Sequence, residues 1–377
     1  MAQFMMYVSK KAYLIIFLMI ICCLPGHALA KVKGLCSNCH TMHASQKQWP
    51  GQWGNETWLR AHPQKSLLVN DCVGCHSSGS SSTNYNLGGC EVPVVLYTGA
   101  GQPTSYLAGG NFWWVKEGLG GEDTKGHNVF LGEDDDSLPE APGNSVGSCG
   151  TDACHINLSE QYSGPDMVFV LNGKYGCQGC HLNARHHAND HPNGESGLVD
   201  SADKGWYRFL SGHGFTGEGV KGYEYKDWEA GHPNLAPGGT AHNEYIGDAA
   251  ATGYGFSQSG GAGDGVTAFC TGCHGDFSHG GQGSSSPWEM HPSDAKIPNS
   301  GEYADAFGAG YDPLVPVART SLPSSDPSKV DIGTDLVQCL SCHRPHGSPY
   351  FKLMRWDYKN WPGGGDNKCT VCHTTKK

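Results

Sequence analysis

Apolar residues in this chain fall in short, separated runs rather than in long periodic stretches. The longest, Ala12–Leu24 (AYLIIFLMIICCL), carries no charge, follows Lys10 and Lys11, and is closed by the small-x-small triplet Ala28–Ala30. This pattern predicts an export signal over residues 1–30, with cleavage after Ala30. The 13-residue run falls short of the roughly 20 residues a spanning helix needs, so an uncleaved anchor is the weaker reading. No later run is long enough to cross a bilayer, and no integral membrane segment is expected after cleavage. Period-2 or β-branched patterning predicts short strands at Val92–Tyr97, Met167–Asn172 and Gly205–Leu210. The text between is rich in Gly, Ser and Pro (HSSGSSSTNYNLGG, HGGQGSSSPW, LPSSDPSK), which predicts loops. Within residues 182–269, GYEYKDWEAGHP and HNEYIGDAA suggest a small β-rich lobe.

Composition sharpens the problem. Hydrophobic residues make up only 38%, against 55 Gly and 21 Pro in 377 residues, so aliphatic side chains alone give a poor core. Without residues 1–30 the chain has 23 basic and 36 acidic residues, a balance that disfavours nucleic acid. The acidic run Gly132–Asp136 (GEDDD) lacks the spacing of a calcium-binding loop and is read as solvated.

The cysteines supply what the composition lacks. Fifteen remain after the signal, and an exported chain with so many suggests disulfides, but their spacing does not. Six times the chain reads Cys-x-x-Cys-His: Cys36, Cys39, His40; Cys72, Cys75, His76; Cys177, Cys180, His181; Cys270, Cys273, His274; Cys339, Cys342, His343; and Cys369, Cys372, His373. This is the attachment signal for c-type haem. Two thiols three positions apart lie on one side of a turn and can add to two vinyl groups of one porphyrin. The next residue, His, then lies against the ring and gives the iron a nitrogen. Zinc also takes Cys-x-x-Cys pairs, but it does not require His after every second Cys. A seventh copy is stretched: Cys149, Cys154 and His155 in SCGTDACH, where Gly150 can take the backbone angles of a bulge. A Cys149–Cys154 or Cys90–Cys149 disulfide is the alternative there. With seven haems, Cys90 is the one thiol left over, either buried or open to an intermolecular bridge.

Each iron has a second axial face, and the choice of its ligand sets the potential. Only Met42, Met167, Met290 and Met354 remain after the signal, too few for seven irons, whereas twelve histidines are not proximal. The sequence therefore predicts bis-histidine, low-potential haems. His43 and His346 lie three residues beyond a proximal His and can reach only a neighbouring haem. His62 and His291 sit in WLRAHP and WEMHP, where Trp can pack on a porphyrin and Pro stiffens the segment. His127 and His242 follow small residues. His187 or His186 supplies one more, and the distal set is written as His43, His62, His127, His187, His242, His291 and His346. His191, His213, His232, His279 and one of the 186/187 pair are the histidines left aside.

The motif starts fall in pairs, Cys36 with Cys72, Cys149 with Cys177, and Cys339 with Cys369, with Cys270 alone. Residues 31–377 are thus read as one heptahaem region: a first pair over 31–95, a second over 140–190, a haem-free lobe over 191–260, and a single haem plus the last pair over 261–377. About 50 residues per haem is too few for separate domains of ordinary size. The haems must pack together and supply much of the core. The expected fold class is mostly irregular and haem-cored, with short helices at the haem motifs and few short strands.

Carried by FCTGCHGDF, SSSPWEMHPSDA and CLSCHRPHGSPYFKLMRWDYKNW, the chain resembles multihaem c-type cytochromes with paired Cys-x-x-Cys-His motifs, found in the periplasm and at the outer surface of metal-respiring bacteria. The resemblance implies electron transfer by heme c in anaerobic or extracellular respiration, an exported location, and redox proteins or extracellular electron acceptors as partners. It assigns no catalytic residue, and the chain reads as a carrier rather than a catalyst. Two alternatives stay open: a multihaem reductase with one open iron, and a subunit of a conducting cytochrome homopolymer. Against the reductase of the nitrite-reducing kind, no motif here replaces its proximal His by Lys. The count is checked by intact mass: residues 31–377 should carry seven covalent haems, and a mass fitting six would remove Cys149 and Cys154 from the set.

Overall fold

The computed structural model describes residues 32, 35–40, 72–116, 119–127, 129, 176–181, 184–188, 195–211, 219–230, 232, 234–247, 265–271, 293–359 and 367–376. The expected export signal, the strand at 167–172, and Cys149, Cys154 and His155 lie outside them, as do His43, His62, Cys273, His274 and His291. Most described residues are in turns and irregular segments. Among the described residues, regular helix is confined to α1 (Cys72–Cys75), α2 (Val266–Thr271) and α3 (Cys339–Cys342), each at a cysteine motif. Single 3-10 turns occupy three more motifs: Cys36–Asn38, Gly176–Gly179 and Lys368–Val371. The fold is mostly irregular, as the loop-rich text requires. No described helix is long and apolar enough to cross a membrane.

Among the described residues, ten short strands form three sheets. β1 (Ser77–Ser78) pairs in parallel with β4 (Leu96–Tyr97), and β2 (Asn84–Leu87) pairs antiparallel with β3 (Cys90–Pro93). The predicted strand Val92–Tyr97 is thus split, because the chain leaves the β2–β3 hairpin after Pro93 and joins β1 only at Leu96. The third sheet has six strands in the order β5 (Gly197–Val199), β6 (Gly222–Glu224), β7 (Glu244–Ile246), β9 (Ala318–Arg319), β10 (Leu336–Val337) and β8 (Ala295–Lys296). Its single parallel contact, β7 with β9, joins the two halves of the sheet. The β-rich stretch before residue 260 is therefore continuous with strands that follow it. At that seam Arg319 pairs with Asp335, lies 3.8 Å from Glu244, donates to the Lys329 carbonyl at 2.6 Å and sits over the Tyr311 ring. The guanidinium is buried among two carboxylates, so its charge is matched where water cannot match it.

The described residues form three small cores. Leu96, Phe112, Val115 and Val129 pack with Val73 and Cys177 at their edge. Tyr207, Val220, Tyr245, Val266, Ala318 and Leu336 pack with Cys270 and Leu340. Ile297, Tyr311, Val315, Val317 and Trp356 pack with Cys342, Cys369 and Cys372. Each core ends on motif cysteines, so its apolar surface continues toward whatever those thiols carry. A fully buried aliphatic side chain contributes about 1.5–3 kcal/mol, and these cores hold few of them.

The segment Gly205–Leu210 is not a strand. Its centre, Tyr207–Phe209, is a 3-10 turn with positive φ at Trp206 (62°), Arg208 (47°) and Phe209 (61°). The Arg208 amide donates to Glu224 Oε1 at 2.7 Å, and the guanidinium donates to Glu224 Oε2 and Asn243 Oδ1 at 3.2 and 2.8 Å. These buried contacts hold the residue in the sparsely populated left-handed region.

One close approach ties residues 90–127 to the C-terminal third. Gly110 has φ +94°, and a Cβ there would lie 1.9 Å from the Gly347 carbonyl oxygen. That carbonyl accepts from the Asn111 amide at 3.0 Å, immediately after His346. Gly110→Ala should cost about 3 kcal/mol from combined strain and overpacking, read by denaturant unfolding of the haem-loaded protein. A loss below about 1 kcal/mol would show that the segments do not meet this way.

Candidate functional site

In four motifs the amide of His donates to the carbonyl of the first Cys: His76 to Cys72 at 2.7 Å, His181 to Cys177 at 2.9 Å, His343 to Cys339 at 3.1 Å and His373 to Cys369 at 2.9 Å. This is one helical turn closed on itself, which sets two thiols on one side with the imidazole just beyond. In α3 the turn is anchored further: the Gln338 amide donates to Ser341 Oγ at 3.0 Å, and that hydroxyl donates to the Pro316 carbonyl at 2.5 Å.

Three proximal rings are then oriented by a backbone carbonyl. Nδ1 meets Pro93 O at 2.9 Å in His76, Arg208 O at 2.9 Å in His181 and Lys352 O at 3.0 Å in His343. A carbonyl can only accept, so Nδ1 carries the hydrogen and Nε2 keeps its lone pair for a metal. Two of these carbonyls come from matching turns. Arg208 lies in YRF and Lys352 in FKL, both 3-10 turns with a basic residue at positive φ, 47° and 55°. Nothing in the cysteine motifs announces these turns; the repeated aromatic-basic-apolar triplet is the only trace in the sequence. His127, from the candidate distal set, is held likewise, with Nδ1 2.9 Å from Pro345 O. The fourth proximal ring, His373, has Nδ1 3.3 Å from Glu302 Oε1, and Lys376 Nζ lies 3.3 Å from the same oxygen.

Facing rings complete the geometry. His76 and His186 have centroids 6.2 Å apart at 23°, His40 and His187 are 6.0 Å apart at 18°, and His181 and His346 are 6.1 Å apart at 57°. Direct stacking would bring rings closer. A metal held between two imidazole nitrogens at about 2.0 Å each, with about 1.1 Å more to each ring centre, sets the centres about 6.2 Å apart. The donor set thus fits an iron with two axial histidines. The sequence reading gave one of the adjacent pair 186/187 a ligand's place; here each ring of the pair faces a different proximal histidine. His346, three residues beyond His343, faces His181 of another motif. Its Nδ1 is buried without a hydrogen-bond partner among the described residues, and Phe112 packs on its ring at 4.8 Å.

Burial lowers the pKa of His76, His181 and His186, that of His343 to about 4 and that of His346 to about 3. These rings are neutral at pH 7, the form that donates to a metal. His242 and His232 are placed differently. His242 has Nδ1 2.8 Å from Asn243 O and Nε2 2.8 Å from Pro327 O, and its ring stacks on Tyr311 at 3.8 Å. His232 accepts from Arg344 at Nδ1 (3.1 Å) and meets the Pro313 carbonyl with Nε2 (3.2 Å).

The motifs also touch one another. Cys72 hydrogen-bonds Cys177, Cys270 hydrogen-bonds Cys339, and Cys342, Cys369 and Cys372 border one buried apolar cluster. No disulfide forms among the described cysteines, and Cys90 is a buried thiol directed at Glu91 O, 3.7 Å away. Among the described residues no three His, Cys, Asp or Glu converge as a zinc site would require.

The comparisons agree with this chemistry. The family described as "Doubled CXXCH motif" matches residues 334–377. The C-type cytochrome OmcS of Geobacter sulfurreducens is 24% identical over 374 residues, covering 85% of this chain and 78% of that one. Two solved structures are also similar. The Outer Membrane Cytochrome S filament from Geobacter sulfurreducens covers 87% of this chain and 85% of its own, with 19% identity and a TM-score of 0.43. The OmcS nanowires from the same organism cover 86% and 84%, with 19% identity and a TM-score of 0.38. With its paired Cys-x-x-Cys-His motifs, this chain resembles the multihaem c-type cytochromes of metal-respiring bacteria. Its motifs carry covalently bound c-type haem.

His242 gives a direct check on ligand placement. Both of its nitrogens lie 2.8 Å from carbonyl oxygens, which occupy the directions along which the ring would meet an iron. His242→Phe should leave the low-spin haem complement unchanged in EPR and lower stability by about 1–2 kcal/mol. A new high-spin signal would instead restore His242 to the distal set.

Proposed function

We propose that this protein moves electrons along a row of seven bis-histidine haems, as an exported carrier at the periplasm or outer surface in anaerobic or extracellular respiration. The observation that carries the reading is the continuity of the motifs. His40 and His76 are joined by the neighbouring residues His187 and His186. The His76 motif meets the His181 motif through Cys72 and Cys177. His346, on the same short segment as His343, faces His181. From there Cys339 contacts Cys270, and Cys342 borders the same buried cluster as Cys369 and Cys372. One line of contacts thus runs from the first motif to the last.

When bound, each haem iron supplies a one-electron Fe(III)/Fe(II) couple. The chain's own residues decide where each iron sits and how readily it is reduced. The Pro93, Arg208 and Lys352 carbonyls fix the proximal rings and raise their basicity, which favours the oxidised state. A second histidine on each iron acts the same way and closes the open face a reductase needs. We assign His186, His187 and His346 as distal ligands opposite His76, His40 and His181, and His127 as a further one, since Pro345 O holds its Nδ1. His43, His62 and His291 remain candidates for the other irons, and Cys149, Cys154 and His155 for the seventh attachment.

EPR of oxidised single variants tests this assignment. His186→Ala and His187→Ala should each turn one low-spin haem high-spin, and the double variant should turn two. Loss of the same single haem in both variants, or of none, would overturn it. In the wild-type protein all signals should be low-spin; a high-spin signal that shifts with nitrite or cyanide would favour a reductase. Negative-stain images of the same preparation separate a single-particle carrier from a polymer subunit.

A further inference from the structure

Two guanidinium groups lie in the interior with no carboxylate bonded to them among the described residues. Arg344 is 0% exposed. One terminal nitrogen donates to Ala108 O at 3.2 Å and His232 Nδ1 at 3.1 Å, and the group lies 5.0 Å from the Tyr106 ring centre. Its Nε and other terminal nitrogen have no partner among the described residues. Arg355 is 6% exposed; its amide donates to Cys342 O at 2.8 Å and its Nε to Leu340 O at 2.5 Å, while Nη1 is unpartnered. By contrast, buried Arg319 has Asp335 and Glu244 beside it.

Glu229 is a buried carboxylate whose charge reaches both groups, but its hydrogen bonds lie elsewhere. It accepts from the Asn243 amide at 2.5 Å, and its other oxygen lies 3.6 Å from His232 Nε2. Among the described residues, two cations therefore share an interior site with one carboxylate that bonds neither. Burial, then the charge of Arg355, pushes the Arg344 pKa down to about 9. An unpaired buried guanidinium is among the costliest groups a fold can hold, and a carboxylate fork satisfies it best.

Both residues border the motif Cys339–His343: Arg344 follows the proximal histidine directly, and Arg355 is bonded to the backbone of α3. The only acidic groups a c-type haem brings into such an interior are its two propionates. We propose that Arg344 and Arg355 together bind a propionate carboxylate of an attached haem, and that this ion pair raises that haem's potential above that of its neighbours. The inference rests on the multihaem reading above and deepens it. Guanidinium charge close to a haem favours the reduced, less positive iron, so it offsets the opposing push of the axial histidines at that one position.

The test uses full-length, haem-loaded protein carrying Arg344→Gln, Arg344→Lys or Arg355→Gln. Mass and pyridine haemochrome first establish the haem number in wild type; absence of haem there strikes the multihaem reading itself. With haem number and low-spin complement equal to wild type, each Gln variant should shift one one-electron step to lower potential by about tenfold in its reduction constant, or 59 mV. The propionate-bending band in resonance Raman should shift with it. Arg344→Lys keeps the charge and loses the fork, so it should move the Raman band with a smaller change in potential; it carries the test where Arg344→Gln does not load. Unchanged potentials and an unchanged band in loaded variants would overturn the proposal. So would a wild-type potential that follows added chloride or phosphate, because the anion would then be a mobile one.

Discussion

A histidine that gives one nitrogen to a metal must have its other nitrogen held, and the rest of this structure is arranged around that requirement. His76, His181, His343 and His127 each direct Nδ1 to a backbone carbonyl, and those carbonyls come from residues far along the chain or in strained turns. The carbonyls of Arg208 and Lys352 reach their rings because the backbone there turns left-handed, a conformation that costs about 1–3 kcal/mol per residue. Side-chain anchoring offsets that cost at Arg208, through Glu224 and Asn243. Secondary structure is sparse because little of the chain is free to follow its own periodicity; it runs from one ring to the next.

The same requirement explains the small cores. Each apolar cluster ends at motif cysteines rather than closing on itself. A core of that kind is completed by flat apolar cofactors, and the chain contributes walls rather than a filled centre. The polar exceptions mark where the walls carry charge: Arg319 with its two carboxylates holds the six-stranded sheet together at its parallel seam, while Arg344 and Arg355 stand beside a cysteine motif with donors to spare.

Local chemistry was legible in the sequence and long-range chemistry was not. The spacing of Cys72, Cys75 and His76 states its own geometry, because one helical turn is all it needs, and the short helices fall at such motifs. The irregular fold could be read from the Gly- and Pro-rich text for the same reason. Gly205–Leu210 was misread, since its apolar pattern suits a strand while its real task, presenting the Arg208 carbonyl to His181, depends on a residue 27 positions away. The place of His186 was hidden by its neighbour. Two adjacent histidines look redundant in a sequence, and only the fold shows two rings facing two separate motifs. The sheet that joins β7 to β9 could not be read either, because each strand is two or three residues long.

The pairing of distant rings also bears on how such a protein is made. A chain delivered N-terminus first presents the His40 and His76 motifs well before His186 and His187, which follow more than a hundred residues later. His181 waits longer still for His346. Under the proposed ligation, attachment and final ligation are separated in time, and the early sites spend biogenesis with one axial face uncommitted. Attachment and chain completion must keep pace with one another, for each later stretch of the sequence brings the rings that face an earlier motif.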